Sequence, residues 1–324
     1  MHGLLNTKGF IEADADAVFD ALRQRAALWD VPYEMSEDLA VFSVWSSEAR
    51  LQKVERDVHI TITAPERRLL LTLQESLAEL FDEKKLAVKW DEVADGALAP
   101  GLSLMSVSAV QRRSPNFLRV CVEAEDAEDA ERFGSGSLHF RLLLPPKGRQ
   151  AVWPRINASG RTVWPEGEDA FHKPVYTTVA QQGNRLEFDV FRHDGSPTSA
   201  WAESNPIGQT VGIMGPGGGS CPPVTPLFLF GDETALPAII RMLSLSARPV
   251  EAFVQASPED LCELRNDPRV TRVDDLLQAL EAFPQDSGGF IWLAGSAEAA
   301  RRARIMLTER GLTKRDFAAA AYWS

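Results

Sequence analysis

An alternation in the C-terminal third constrains this chain most. Short apolar runs of strand length, Pro226–Phe230, Val250–Gln255, Val270–Val273 and Gly289–Ala294, are separated by segments of helical periodicity. The helical segments are Ala238–Leu245, Pro258–Leu264, Leu276–Phe283 and Ala297–Glu309. A run that is apolar at every position reads as a strand buried on both faces. Strands of that kind alternating with helices predict a parallel sheet covered by helices, with ligand sites at the strand C-terminal ends. The turn after the first strand, from Gly231 to Pro237, opens a helix with proline in its first turn, where a missing N–H costs little. It is not a GxGxxG loop, and only Gly231 permits close backbone approach. Asp232 and Glu233 suit capping and dipole compensation better than phosphate binding. Thr234 and the helix N–H groups are the phosphate candidates.

The preceding region, residues 101–222, is strand-rich. Phe117–Glu123, Ser137–Leu144, Arg185–Phe191 and Gly208–Met214 read as strands, and Val175–Val179 as a short β-prone run. The acidic stretch Glu123–Glu131 reads as a solvated loop or short helix. Pro145–Gly148 is a turn and Ala151–Asp169 a long loop. About 120 residues suffice for a small antiparallel barrel. Within it, Gly195-Ser196-Pro197-Thr198-Ser199 leads into a short helical segment, Ala200–Glu203. A helix start of this kind presents free N–H groups that bind phosphate. Tyr176 sits on a nearby strand, and its ring suits a flat heterocycle. These parts suit a flavin dinucleotide; they equally suit a barrel with ordinary turns.

Residues 1–100 read as a small α/β domain. Ala13–Trp29 carries a helical stripe at Ala17, Val18, Ala21, Leu22 and Leu28, with Asp14 or Asp16 as the cap. Leu39–Trp45, Ala49–Val54 and Val58–Ile62 read as strands, Arg68–Phe81 as a helix, and Leu86–Trp90 as a last strand. His59 is isolated and carries no recognisable chemistry. Asp91–Gly101 reads as a linker.

The formal charge of −12 argues against wide nucleic-acid contact but leaves room for a local basic pocket. Cys121, Cys221 and Cys262 fit no metal spacing and read as structural thiols. There is no basic-plus-apolar leader, and no apolar run reaches about 18 residues, so no membrane insertion and a cytoplasmic location are expected.

From about residue 104 onward the chain resembles the siderophore-interacting protein family, FAD-dependent ferric-siderophore reductases of the ferredoxin-reductase-like group. The matching stretches are Val163–Gly167, Tyr176-Thr177, Phe188–His193, Pro197–Ala202, Gly208–Gly218, Gly231–Pro237 and Ala321–Trp323. The resemblance implies an FAD-binding β-barrel over 101–222 and a nicotinamide-binding α/β domain over 223–324. Residues 1–100 resemble a small domain of unknown function fused to some members.

For the cofactor, Tyr176 is expected against the isoalloxazine, with Thr177, Thr198 and Ser199 at the phosphate or ribitol. His193 is expected either to hydrogen-bond the cofactor or to cap the turn, and Trp201 is expected nearby. Members commonly carry an arginine two residues before the tyrosine; Pro174 stands there, and Lys173 supplies charge without a bidentate fork. Gly231, Thr234 and Gly295 are expected along NADH or NADPH. The acid usually beside that last glycine is Ser296 here, with Glu298 two residues on.

The substrate implied is a ferric siderophore, ringed in the family by three basic residues. Arg141 matches the first. The others fall at Gly217 and Ala318, leaving Lys314 and Arg315 as substitutes, although both also read as solvated charges. Two missing cations favour weakly charged, hydroxamate-type complexes. A hydride donor gives two electrons and Fe(III) takes one; a flavin bridges the two modes, so no catalytic acid or base is expected. Flavin-dependent electron transfer to a protein or free flavin, and non-catalytic chelate binding, are the alternatives.

Overall fold

A computed structural model describes residues 4–12, 15–26, 32–44, 46–134, 136–284 and 287–323. The chain divides into two compact units: residues 1–102 with 145–171, and residues 103–144 with 172–324.

The first unit holds a six-stranded antiparallel sheet. Its order is Tyr33–Met35, Leu39–Val44, Ser47–Val54, Asp57–Ala64, Leu5–Ile11 and Lys89–Trp90. In Asp57–Ala64 the residues Val58, Ile60, Ile62 and Ala64 alternate inward. They share a core with Val18, Phe19 and Leu22 of helix Ala15–Ala26, and with Leu69, Leu73, Leu77 and Leu80 of helix Arg67–Glu83. The expected α/β domain is thus an antiparallel α+β unit, because its central strands follow one another as hairpins without crossover helices. Asp16 lies inside the first helical turn; Asp14, Leu28–Trp29 and Trp45 lie outside the described residues. Strand Leu5–Ile11 escaped the sequence reading because Lys8 and Gly9 interrupt its apolar alternation. Gly9 is required there: a Cβ would stand 2.6 Å from the Trp90 ring.

The segment expected as a long loop of the middle sheet belongs to this first unit. It forms a small hairpin, Arg155–Ile156 with Thr162–Val163. Thr162 N–H donates to Glu75 Oε1 at 3.2 Å, and Arg161 pairs with Asp82.

The second unit begins with a seven-stranded antiparallel sheet. Its order is Val175–Thr177, Ser137–Leu143, Thr210–Ser220, Leu102–Arg112, Phe117–Ala124, Arg185–Phe191 and Ala180–Gln182. The two edge strands are separated only by Thr178 and Val179, but no ladder joins them. The middle region is thus an antiparallel sheet in which these two strands stand at the ends of the strand order. Phe140, Phe188, Leu142, Val120 and Ile213 belong to its buried core. The acidic stretch contains a short helix, Ala127–Glu131.

A five-stranded parallel sheet follows, in the order Val270–Arg272, Val250–Gln255, Leu227–Asp232, Phe290–Ser296 and Phe317–Trp323. Helices Leu236–Leu245, Leu276–Ala282 and Ala297–Glu309 cover it. Leu227–Asp232 is buried at every position, as its uninterrupted apolar run required. The expected helix Pro258–Leu264 is replaced by a turn and a 3₁₀ segment, Cys262–Asn266. The reason is Asp260, whose carboxylate is pulled into the middle sheet. It accepts from Ser114 Oγ at 2.6 Å, Asn116 Nδ2 at 2.8 Å and Ser257 Oγ at 2.7 Å. Burial raises the Asp260 pKa, but those hydrogen bonds outweigh it and leave the carboxyl below its ordinary range. Arg241 adds a second tie: its buried guanidinium donates to Phe133 O at 3.2 Å and to Gly134 O. Desolvation lowers its pKa.

Candidate flavin and nucleotide site

Register decides which side chains meet. Val175 pairs with Arg141, Tyr176 with Phe140 and Thr177 with His139. Cross-strand partners share a face. Tyr176 therefore turns inward with Phe140, its ring 5.3 Å from that of Phe188. Val175 and Thr177 share the other face with Arg141 and His139.

Burial pushes the Tyr176 phenol pKa up, opposed by a hydrogen bond with Thr198. The Thr198 hydroxyl also lies 3.0 Å from His172 Nε2. Ser199 Oγ donates to Phe191 O at 3.2 Å and accepts from His193 N–H at 3.3 Å. Ser196 Oγ caps the helix by accepting from Ser199 N–H at 3.2 Å. Thr198 and Ser199 are both buried, and their hydroxyls hold the turn together. Trp201 donates its indole N–H to Gln209 Oε1 at 2.8 Å. His193 is exposed on the turn, with Nδ1 3.3 Å from Asp194 O.

The sequence reading missed a second cluster on the opposite face. His139 Nδ1 lies 3.1 Å from Thr177 Oγ1, and its Nε2 lies 3.2 Å from the Tyr322 hydroxyl. Burial holds the imidazole pKa below its usual value, so the ring is neutral at pH 7. Burial, then the Asp232 charge, pushes the Tyr322 phenol up. Gly218, at φ +73°, leaves no room for a Cβ, which would stand 2.7 Å from His139 Cδ2. The signal for His139 was available: it stands two residues before Arg141 on one strand face.

Asp232 organises the adjoining edge of the parallel sheet. Its Oδ1 accepts from Thr234 N–H at 3.0 Å and Thr234 Oγ1 at 2.6 Å; its Oδ2 accepts from the Trp323 indole at 2.8 Å. Thr234 thus spends its hydroxyl proton on Asp232 rather than keeping it for a phosphate. A Cβ on Gly295 would lie 2.8 Å from Asp232 Oδ2, and one on Gly231 would lie 2.6 Å from Ala235 Cβ. Each glycine therefore has a packing reason of its own. Desolvation, before the neighbouring Asp232 charge, raises the Glu233 pKa.

Arg141 and Lys173 lie together, with Arg141 donating to Lys173 O at 3.1 Å. Lys314 and Arg315 do not join them. They are exposed in the turn before Phe317–Trp323, a strand's length from Trp323. Parallel connectivity puts that turn at the opposite edge of the sheet from Asp232 and Gly295.

The residues present suit a flavin beside Tyr176. The Thr178 hydroxyl is buried and has no hydrogen-bond partner. A Cβ on Gly217 would meet nothing within 4 Å, so there is open space at Gly217, the cross-strand partner of His139. Lys173 and Arg141 supply positive charge. Among the described residues no group of three His, Cys, Asp or Glu side chains could hold a metal.

Residues 106–220 match the siderophore-interacting FAD-binding domain, and residues 225–324 match the siderophore-interacting protein model. Over those residues the chain belongs to the siderophore-interacting protein family. Residues 1–105 lie outside both family matches. The ferric vibriobactin reductase of Vibrio cholerae is 31% identical over 157 residues, covering 46% of this chain and 55% of that relative. The chain thus spans about half the length of that relative. The NADPH-dependent ferric-chelate reductase of Escherichia coli is 25% identical over 241 residues, 68% of this chain and 91% of that protein. A siderophore utilization protein from T. fusca superposes with a TM-score of 0.58 at 27% identity, covering 68% of this chain and 92% of that one. In this siderophore-interacting chain, the middle and parallel sheets are the two matched parts. No described helix is long and apolar enough to cross a membrane.

Proposed function

We propose that the chain reduces ferric siderophores with NADH or NADPH as donor and FAD as mediator, releasing Fe(II) for iron acquisition. The observation that carries this reading is the bridge Thr177–His139–Tyr322, which ties the Tyr176 strand to the C-terminal edge of the parallel sheet. A reductase of this kind must hold its donor and its flavin at near contact distance. Bound flavin supplies the exchange between a two-electron donor and a one-electron acceptor.

The chain's own residues bind and orient. Tyr176, fixed through Thr198, flanks the isoalloxazine; Thr177 and Thr178 offer polar contacts; Lys173 offsets pyrophosphate charge where Pro174 replaces an arginine. The helix start contributes the backbone N–H of Thr198, the Ser199 N–H being held by Ser196 Oγ and both hydroxyls being engaged. His193 and Trp201 hold the turn. Gly231, Thr234 and Gly295 shape the donor edge through Asp232. Arg141 faces the ferric complex, which is expected to be weakly charged. Hard oxygen ligands grip Fe(III) far better than Fe(II), so reduction itself loosens the metal. In this reading the flavin domain lies within 101–222, less the segment 145–171 that belongs to the first unit, and 223–324 is the donor domain; the donor implies a cytoplasmic reaction.

The test is optical. Purified protein should be yellow, bleach under NADH or NADPH without oxygen, and recover its colour on adding a ferric siderophore. Recovery only with a protein or free-flavin acceptor would favour electron transfer of another kind. A colourless protein that takes up no added FAD would leave chelate binding alone.

A further inference from the structure

The parallel sheet reverses its strand order between Leu227–Asp232 and Phe290–Ser296. A dinucleotide on a sheet of this order lies across the C-terminal strand ends at that reversal, with its adenosine half towards the second strand. The chemistry following the second strand then meets the adenosine ribose. A carboxylate there accepts from a free 2′-hydroxyl; an arginine nearby accommodates a 2′-phosphate.

In this chain the second strand is Val250–Gln255. It ends without an acid, and Gln255 Oε1 is occupied by the Leu276 N–H at 2.9 Å. Two guanidinium groups are each tied to a carbonyl of the loop that follows. Arg272 ends the neighbouring strand opposite Val254 and donates Nε to Ala256 O at 3.0 Å. Arg265 donates Nε to Pro258 O at 3.0 Å and a second N–H to the same oxygen. Each guanidinium has five N–H donors, so both retain donors after these backbone bonds. The carbonyls fix both groups beside one loop.

The acids around them are mostly engaged. Asp260 sits in its cage of hydroxyl and amide donors, Glu263 pairs with Arg113 at 2.8 Å, and Asp275 caps a helix through Gln278 N–H at 2.9 Å. Asp274 pairs with Arg272 at 2.8 Å but is 87% exposed. Among the described ion pairs none holds Arg265 or the exposed Glu259. A phosphomonoester brings close to two charges and three acceptor oxygens. It competes effectively with one solvated carboxylate for a guanidinium.

We propose that Arg272 and Arg265 form a subsite for the 2′-phosphate of NADPH and make NADPH the preferred donor. This rests on the reading that the parallel sheet binds a nicotinamide dinucleotide, but on no assumption about the iron acceptor.

The test measures binding of 2′,5′-ADP and 5′-AMP to the full chain by calorimetry, which needs no turnover. The expected result is at least about tenfold tighter binding of 2′,5′-ADP, shrinking as salt rises. In the Arg265→Gln, Arg272→Gln double variant that preference should vanish while 5′-AMP affinity stays, which also shows the domain is folded. Arg272→Lys should restore part of it, and Glu259→Gln should enlarge it. Equal binding of the two nucleotides by the unaltered chain, or an unchanged preference in the double variant, overturns the proposal. Failure to bind either nucleotide removes the donor-domain reading and this subsite with it. A 2′,5′-ADP preference in a chain that reduces no ferric complex leaves the subsite standing and removes the ferric reductase reading alone.

Discussion

His139 Nε2 lies 3.2 Å from the Tyr322 hydroxyl, and the two rings meet edge to face with centroids 5.7 Å apart. A neutral imidazole has one N–H, so it donates to one of Thr177 and Tyr322 and accepts from the other. Tyr322→Phe removes the contact and keeps the ring. Flavin affinity should stay unchanged, while KM for the nicotinamide donor rises by up to about tenfold, the worth of one buried hydrogen bond. Parallel flavin titration and steady-state kinetics read the two effects. Loss of flavin in this variant would show that the bridge holds the cofactor strand instead.

The same histidine sets a pH dependence. Burial lowers its folded-state pKa below the unfolded value near 6.5. The unfolded chain then binds more protons at mildly acid pH, so this contribution to stability is full above about 6.5 and is lost as pH falls through the folded pKa. His172, also lowered by burial, acts in the same sense. His139→Gln should lessen the fall in urea midpoint between pH 7 and pH 5. An identical fall in the variant would assign the loss to other groups.

Tyr176 separates ring from hydroxyl. Tyr176→Phe keeps the contact with Phe188 and loses the bond to Thr198. It should retain FAD with affinity reduced by up to about tenfold. Tyr176→Ala should lose FAD far more severely, read as the flavin content of purified protein. Equal flavin content in both variants would remove Tyr176 from the site.

Asp260 is 1% exposed and anchors the parallel sheet to the middle sheet. Asp260→Ala strands the Ser114 hydroxyl and the Asn116 amide, and should cost about 2–4 kcal/mol of unfolding free energy. Asp260→Asn keeps part of the acceptor capacity and should cost less. Denaturant unfolding of the two variants compares them.

How much of this was legible follows from where the signals lie. Leu227–Asp232, Val250–Gln255 and Ala297–Glu309 were visible because burial on both faces, or a helical stripe, leaves a local mark. Phe317–Trp323 was not, because an alanine-rich edge strand has almost no alternation. The middle strands were legible one by one, but the placing of Val175–Thr177 and Ala180–Gln182 at the two ends of the sheet order is not written in either segment. Tyr176 was visible as an aromatic on a strand. Asp232 was legible as a cap, which it forms with Thr234, but its partner Trp323 and the His139 partner Tyr322 lie far along the chain, where no spacing rule joins them. Lys314 and Arg315 looked available because sequence carries charge but not the edge of the sheet on which it falls.

Substrate charge offers a sharper check. Gly217 and Ala318 stand where the family resemblance puts cations, and Lys314 and Arg315 lie at the far edge. A ferric trishydroxamate should therefore be reduced in preference to a strongly anionic triscatecholate, by one or more powers of ten in kcat/KM if each lost pair contributes about 1–4 kcal/mol. A catecholate preference that collapses in salt would point to other basic residues.

The most direct measurement of the central claim is the electron balance. Anaerobic protein reconstituted with FAD is given NADPH and a ferric hydroxamate, with an Fe(II) chelator to trap the product. Two Fe(II) per NADPH oxidised, falling in proportion to flavin content, is the predicted result. NADPH oxidation without trapped Fe(II), or iron reduction that persists in flavin-free protein, would contradict it.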